Sequence, residues 1–498
     1  MSNEVLDTQM DDDTVLVDRL ADRLDAGDRF ASLMGTDTDE GLRLTALLAT
    51  PDTIEPFDWV LPPGTTSYPS LTPRIPAAFW YERDLHDLFG VTAAGHPRLD
   101  PLTLPLSDDS ERPVPGRPGA PWSIQPDEHI LPRLVVGTGL FTIPHGPVRS
   151  GVSESVEFLV ETPGEDIPEL RVRVYAKHRG IEKRFEGMDA ATGVLLAERV
   201  EGIASVAHAL AFAHAVEALG GVRPPRPARL IRTLHAELER IANHLDVAMR
   251  LADAAGLAVA TARFGAHKER VLRLVGRLCG SRFGRGVVVP GGVRALPALR
   301  PDRIRAEMSA LASGIMPDAQ LLMNTSSFID RLRHTGVLDT DLAIDHGALG
   351  PVGRASGLAD DDRIRRPYDA YDELVWRPAT PWVSCDARAR LQIRFDEIDD
   401  ACTLIDQIVT ELSTMDPATP LCRSVGFADG RGIGWAEAPQ GEVLYVLEVS
   451  DGRIRRCRPR SASFHNLAVF SHTFNGDVLT DFAFIEASFG LSMAGVAL

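Results

Sequence analysis

Apolar positions recur with two different periods along this chain. Leu230, Leu234, Leu238, Ile241 and Leu245 are spaced by four, four, three and four, the stripe of an amphipathic helix with one face in a core. The same period in FWYERDLHDLF, with Phe79, Trp80, Leu85, Leu88 and Phe89 apolar, predicts a second helix. Further helical stretches are VLVDRLADRLDAG near the N-terminus, residues 256–280, 301–333 and 388–415. Period-two alternation over Ser155–Val160 and Leu170–Tyr175, either side of PGEDIP, predicts a β-hairpin. A second hairpin is expected over Glu437–Arg458, turning at Asp451-Gly452. Between these patterns, Val174–Gly221 starts with strand-like alternation and turns charged at Gly180. It continues as a long apolar helix carrying Glu198, Arg199, Glu201, His208 and His214. Ionisable groups on such a helix are costly to bury unless paired or used.

These elements give an α+β reading: a small N-terminal α/β domain, then a mainly α-helical domain with β-hairpins. The expected divisions are an acidic leader at 1–14, a docking domain at 15–102, a linker at 103–138 and the large domain at 139–498. Residues 103–135 hold seven prolines and little periodicity, as a draped connection does.

Composition narrows the class. The net charge is −18, and residues 1–40 hold twelve acidic side chains against three arginines. Such a leader is expected to be solvated. The rest is mildly acidic, which argues against nucleic acid as a partner. No apolar run of 18 residues suggests a transmembrane helix, and the N-terminus lacks the pattern of a secretory signal, so a cytoplasmic chain is expected. The five cysteines are scattered and never in C-x-x-C spacing, which excludes a disulfide framework, a zinc knuckle and an iron–sulfur run in this chain.

The motifs carry a family resemblance. E-R-D-L-H-D-L-F-G-V followed by G-H-P-R-L resembles the 30-kDa-type subunit of respiratory complex I, with Asp100 where the pattern usually has Arg. From Thr142 to Met493 the order of segments is similar to the 49-kDa-type subunit of complex I and to the large subunit of nickel–iron hydrogenases, above all the fused formate hydrogenlyase type. The matching segments are H-R-G-I-E-K (178–183), A-E-R-V-x-G-I (197–203), E-L-E-R-I-x-N-H (237–244), P-G-G-V (290–293), G-P-V-x-R-A-S-G (350–357), R-x-P-Y (365–368), E-A-P-x-G-E (437–442) and S-F-x-N (463–466).

The hydrogenase branch implies two C-x-x-C pairs holding nickel and iron. Here their positions are Glu201, Ala204, Ser492 and Gly495. One carboxylate and one hydroxyl do not replace four soft thiolates, so no metal held by this chain is expected. The complex I branch implies a quinone site in the emptied cavity, against a small iron–sulfur subunit of the 20-kDa type. Arg149 stands where that branch has a loop histidine. Tyr175 is one residue off the usual tyrosine position, which on a strand would face the other way. Glu154 resembles a proton-pathway residue of the hydrogenase branch.

Candidate catalytic residues are therefore Glu201, Glu154, Arg149, His178 and Glu237. Candidate cofactor contacts are Arg149, Tyr175, Arg179 and His208. Glu201 reads as a proton-carrying carboxylate or as an ion pair with Arg199 or His208. Glu237, Arg240 and His244 read as a buried pair or a proton relay, and Arg453–Arg460 as a solvated strand face or partner contact. The resemblance implies an NADH:quinone oxidoreductase-like or hydrogenase-like complex, peripheral on the inner face of the cell membrane. Its other members would be an iron–sulfur subunit holding the cluster and antiporter-like membrane subunits. An inactive scaffold subunit is the alternative.

Overall fold

The computed structural model describes residues 16–104, 114–117, 139–149, 154–416 and 418–498. The acidic leader, most of the Pro-rich connection, and Ser150 and Gly151 of the first loop lie outside these residues.

The N-terminal unit starts with helix α1 (residues 16–25) and a three-stranded antiparallel sheet, β1 (Arg29–Thr38), β2 (Gly41–Ala49) and β3 (Ile54–Leu61). Two short parallel strands, β4 (Ser67–Pro69) and β5 (Thr92–Ala94), flank helix α2 (Phe79–Phe89). The periodic stretch FWYERDLHDLF thus forms the helix expected of it. Its charged groups, however, are buried. Glu82 accepts from Ser70, Leu71 and Thr72, and Asp87 accepts from the backbone N–H groups of Leu102, Thr103 and Leu104. Asp100 takes up Arg83 at 3.0 Å and Arg98 at 2.7 Å.

The large unit opens with a three-stranded antiparallel sheet, β6 (Phe141–His145), β7 (Glu157–Thr162) and β8 (Glu169–Arg173). The expected hairpin is β7–β8, and β6 is an extra strand on its edge. Strand β8 ends at Arg173, and Tyr175–Lys177 form a single 3₁₀ turn. The strand alternation expected to set Tyr175 against its neighbour does not extend that far.

Two short helices follow, α3 (Ile181–Phe185) and α4 (Val194–Ala197), and then α5 (Ser205–Gly220). The long helix expected from Glu198 onward therefore begins only at Ser205. Glu198, Arg199 and Glu201 lie on the preceding turn. The backbone N–H groups of Val206 and Ala207 at the start of α5 donate to the carboxylate of Glu239, which closes the helix end from a distant residue.

A bundle of α6 (Arg226–Ala254), α7 (Ala258–Cys279), α8 (Pro301–Met323) and the helix Ala387–Ser413 encloses an apolar core of its own. Leu230, Leu234, Leu238, Ile241 and Leu245 are fully buried there. Each such side chain contributes about 1.5–3 kcal/mol through burial.

Two short strands, β9 (Val288–Val289) and β10 (Gly292–Val293), precede a final antiparallel sheet, β11 (Gly430–Ala438), β12 (Gly441–Ser450) and β13 (Arg453–Arg460). Helix α5 lies directly on β11. A Cβ at Gly432 or Gly434 would collide with the α5 backbone at Ala215 or Ala211, so these two glycines permit the close approach.

Strand β13 is a solvated face only at Arg453 and Arg455, which are exposed. Arg456, Arg458 and Arg460 are buried against Glu182, Asp84 and Glu442. Hydropathy misses such residues, because each charge is neutralised by a partner far away in sequence. Asp84–Arg458 (2.7 Å) and the Tyr81 hydroxyl against His465 Nδ1 (2.8 Å) join α2 to the C-terminal part.

Candidate functional site

The two vacated clip positions meet in space. Glu201 sits on the turn before α5, while Ser492 and Gly495 lie on the C-terminal turn. A Cβ at Gly495 would stand 2.6 Å from Glu201 Oε2. The Glu201 carboxylate fills this corner, with the residue only 1% exposed. Ser463 Oγ donates to Oε1 at 2.7 Å, and His208 Nε2 lies 3.0 Å from Oε2. On the far side of the ring, His208 Nδ1 is 2.9 Å from the Tyr445 hydroxyl. A carboxylate only accepts, so the His208 proton toward it sits on Nε2. In a neutral ring, Nδ1 then accepts from Tyr445. Burial raises the Tyr445 phenol well above its ordinary value, which keeps that proton on the oxygen.

A second carboxylate meets the same turn. Glu154 accepts from Ser492 Oγ at 2.8 Å and from the Met493 backbone N–H at 2.6 Å. The Ser492 backbone N–H donates to Ser463 Oγ at 3.1 Å. The Tyr445–His208–Glu201–Ser463 chain thus touches the Ser492–Glu154 pair through a peptide N–H. Arg179 binds both frames at once, donating to Val200 O (2.7 Å) and Ala494 O (2.6 Å), and burial lowers its pKa.

The structure thus brings together Glu201, Glu154, Arg179 and His208, and it leaves the other candidates elsewhere. Arg149 pairs with Glu486 at 2.6 and 2.9 Å and covers the Phe158 ring. Tyr175 is half-buried on its 3₁₀ turn. His178 lines a different cavity with Glu182, Arg458 and Phe464. Glu201 pairs with His208, whereas Arg199 pairs with Glu198. Sequence reasoning missed Tyr445 and the role of Ser463. The latter stands in the S-F-x-N motif, whose hydroxyl was the available signal. Tyr445 lies inside an apolar strand and gave none.

The donor set does not fit a nickel–iron centre. Its four positions supply a carboxylate, a methyl group, a hydroxyl and a hydrogen atom. The two oxygen donors are already engaged, where such a centre needs soft thiolates. Among the described residues, no group of three or more His, Cys, Asp or Glu side chains is placed to hold a metal ion.

Residues 10–120 match the family model of the respiratory-chain NADH dehydrogenase 30 Kd subunit. Residues 253–424 and 419–497 match that of the 49 Kd subunit. The chain belongs to the complex I 30-kDa/49-kDa subunit family. It is 29% identical to formate hydrogenlyase subunit 5 of Escherichia coli K12 over 84% of this chain and 75% of that one. It is 28% identical to the membrane-bound hydrogenase subunit alpha of Pyrococcus furiosus, covering 70% and 84%. With the mitochondrial NADH-ubiquinone oxidoreductase 49 kDa subunit of Neurospora crassa the identity is 28%, covering 73% and 80%. The fold is shared with a chain of the membrane-bound sulfane sulfur reductase (MBS), an archaeal respiratory membrane complex. There the TM-score is 0.67 at 23% identity, covering 72% of this chain and 99% of that one. This member of the family is an oxidoreductase subunit of the complex I or hydrogenase type. Among its described residues, no helix is long and apolar enough to cross a membrane.

Glu237 belongs to a separate ionic cluster in the 49-kDa-type part. Arg240 lies 3.2 Å from Glu237 and 3.4 Å from Glu397, Arg363 lies 3.3 Å from Glu237, and Arg354 lies 2.7 Å from Glu397. Burial alone would raise the Glu397 carboxyl, but Arg354, His244 and Arg240 outweigh it and hold the group well below its ordinary range. His244, 2.8 Å from Glu397, is pushed down to about 3, chiefly by burial. A histidine at that value takes no proton near neutral pH, and paired acids and guanidinium groups surround it. The cluster is a strut that ties the helical bundle to β11.

Proposed function

We propose that this chain is the electron-transfer subunit of a membrane-associated complex I-like or formate hydrogenlyase-like oxidoreductase, working without a nickel–iron centre of its own. A partner iron–sulfur subunit of the 20-kDa type would supply electrons, and antiporter-like subunits would anchor the assembly on the cytoplasmic face of the membrane. The acceptor would be quinone-like, or the electron transfer would be coupled to proton movement. The observation that carries this reading is the Glu201 carboxylate, which fills the corner where both clip positions converge and joins a hydrogen-bonded chain to His208 and Tyr445. Protonation at a Glu201 oxygen would turn the Ser463 and His208 bonds from purely accepting into an exchanging set, so this carboxyl can take up and release one proton within the vacated site. Relatives whose names place them in a membrane-bound hydrogenase and an NADH-ubiquinone oxidoreductase support the assembly.

One feature favours the scaffold alternative: Glu201 is closed off, with both oxygens already bonded. Isolating the complex and quantifying nickel and iron alongside quinone reduction separates the readings. Iron without nickel, together with quinone reduction, supports electron transfer. Stoichiometric nickel overturns both readings, and iron without any acceptor reduction leaves the scaffold.

A further inference from the structure

His214 stands on α5 where that helix meets β11 and the loop 366–372. Both of its ring nitrogens face oxygens that can only accept. Nδ1 lies 2.8 Å from the Trp435 carbonyl on β11, and Nε2 lies 3.1 Å from Asp369 Oδ2 on the loop. A peptide carbonyl has no proton to give, and neither has an ionised carboxylate. Asp369 is ionised: burial alone would raise it, but His214 and Arg232 outweigh burial and hold it below its ordinary range. Two such bonds need an N–H at each nitrogen, so the ring is an imidazolium.

The groups packed around it suit that charge. Glu217 comes from α5 itself, Arg232 from α6, and Asp369 from the loop, with the Tyr368 ring 5.3 Å away. Strand β11 contributes the Trp435 carbonyl. Burial alone would lower the imidazole, but Asp369 and then Glu217 outweigh both burial and Arg232. The ring therefore titrates above its ordinary 6.5. Its side chain is 15% exposed, enough to exchange a proton with water.

Asp369 is the hub of the loop. Its φ of +47° lies in the left-handed region, which is uncommon for a residue with a Cβ. Its carboxylate bridges His214 and Arg232, and its carbonyl accepts from Arg229 at 2.7 Å. Beside it, the Trp435 indole donates to Arg366 O, Tyr368 accepts from the Glu437 N–H, and Tyr371 donates to Glu237 of the strut. Among these ties, the imidazolium is the one that can lose its donor by losing a proton near neutral pH.

We propose that His214 is a pH latch: protonated, it clamps the loop 366–372 to α5 and β11, and loss of its proton releases the loop. The nitrogen that gives up its proton turns a lone pair on an acceptor, so an attraction becomes a repulsion. The closed form holds the proton more tightly than the open form, whose histidine titrates at its ordinary value. The open population is therefore flat below pH 6.5. It rises by up to about tenfold per pH unit from there to the folded-state titration, and levels off above it. The latch stands apart from the redox reading, and either can fail alone.

The test is hydrogen exchange of the purified full chain, corrected for the intrinsic pH dependence of exchange. The Ala370 and Tyr371 amides, bonded to Thr233 Oγ1 and Tyr368 O, read the open population. Nitrogen-15 spectra of labelled histidine give the titration, with the His214 signal assigned by its loss in His214→Gln. Asp369→Asn keeps an accepting oxygen but removes the charge, so it should move the titration down and shrink the rise. His214→Gln should make the corrected exchange independent of pH. If that variant does not fold, the shift in Asp369→Asn decides. Titration of His214 at or below 6.5, corrected exchange that stays flat above it, or a rise unmoved in Asp369→Asn overturns the latch.

Discussion

Substituting Gly495 with alanine tests whether Glu201 truly occupies the vacated corner. The new Cβ would lie 2.6 Å from Glu201 Oε2, 2.7 Å from its Cδ and 2.9 Å from Ser461 Oγ. Neither neighbour is free to yield. Glu201 is held by Ser463 and His208, while Ser461 donates to Gly495 O at 2.5 Å and accepts from Phe464 N at 3.0 Å. Overpacking a filled core costs about 1–3 kcal/mol. Displacing a hydrogen bond to a charged group costs about 1.5–3 kcal/mol more. The expected loss for Gly495→Ala is therefore about 2.5–6 kcal/mol. Urea unfolding followed by tryptophan fluorescence measures it, repeated in a Glu201→Ala background where the opposing carboxylate is gone. There the cost should fall by about 2 kcal/mol, and this difference is the coupling that a double-mutant cycle isolates. Equal costs in the two backgrounds, or a Gly495→Ala loss below about 1 kcal/mol, would refute the packing of the corner.

Three further outcomes are expected. Glu397→Gln leaves Arg354 and Arg240 without their shared carboxylate, so the same unfolding assay should show about 3–5 kcal/mol of destabilisation, and a near-neutral result would sink the strut. Arg458→Ala strips Asp84 of its buried arginine and leaves Glu182 only Arg456, so the backbone amides of α2 should lose protection from hydrogen exchange, with unchanged protection the contrary result. Glu239 carries a folded-state pKa near 8 against an ordinary value of 4.5, so the native state binds the extra proton between them. Its contribution to stability is full below pH 4.5, declines as pH rises through that window and levels off above 8. Glu239→Gln should flatten this decline in melts taken across the window, and parallel curves for the two proteins would contradict the assignment.

Much of the fold was legible in the sequence wherever one side of an element is apolar. The α6 stripe, the α2 helix and the Asp451-Gly452 turn all follow from spacing and turn chemistry. Strands β1–β3 were not legible. They lie in mixed segments such as RFASLMGTDT, whose buried Thr36 and Ser32 blur the alternation. The buried arginines of β13, Arg456, Arg458 and Arg460, were hidden because their neutralising partners are remote, as in Asp84 with Arg458. The loss of the two metal clips was legible residue by residue. That Glu201 fills the corner left by Gly495 was not, because only the fold brings residues 201 and 495 together. The start of α5 was also hidden, since Glu239, the group that closes its N-terminus, stands more than thirty residues downstream.

The claim on which the functional account rests is that Glu201 carries a proton in the vacated site while the redox centre belongs to a partner. Acceptor reduction by the purified complex carrying Glu201→Gln tests this most directly, with assembly and iron content confirmed equal to wild type. Glutamine preserves shape and can still accept from Ser463, but it takes up no proton at neutral pH. The account predicts reduction at background level in an intact complex. A rate equal to wild type would contradict it.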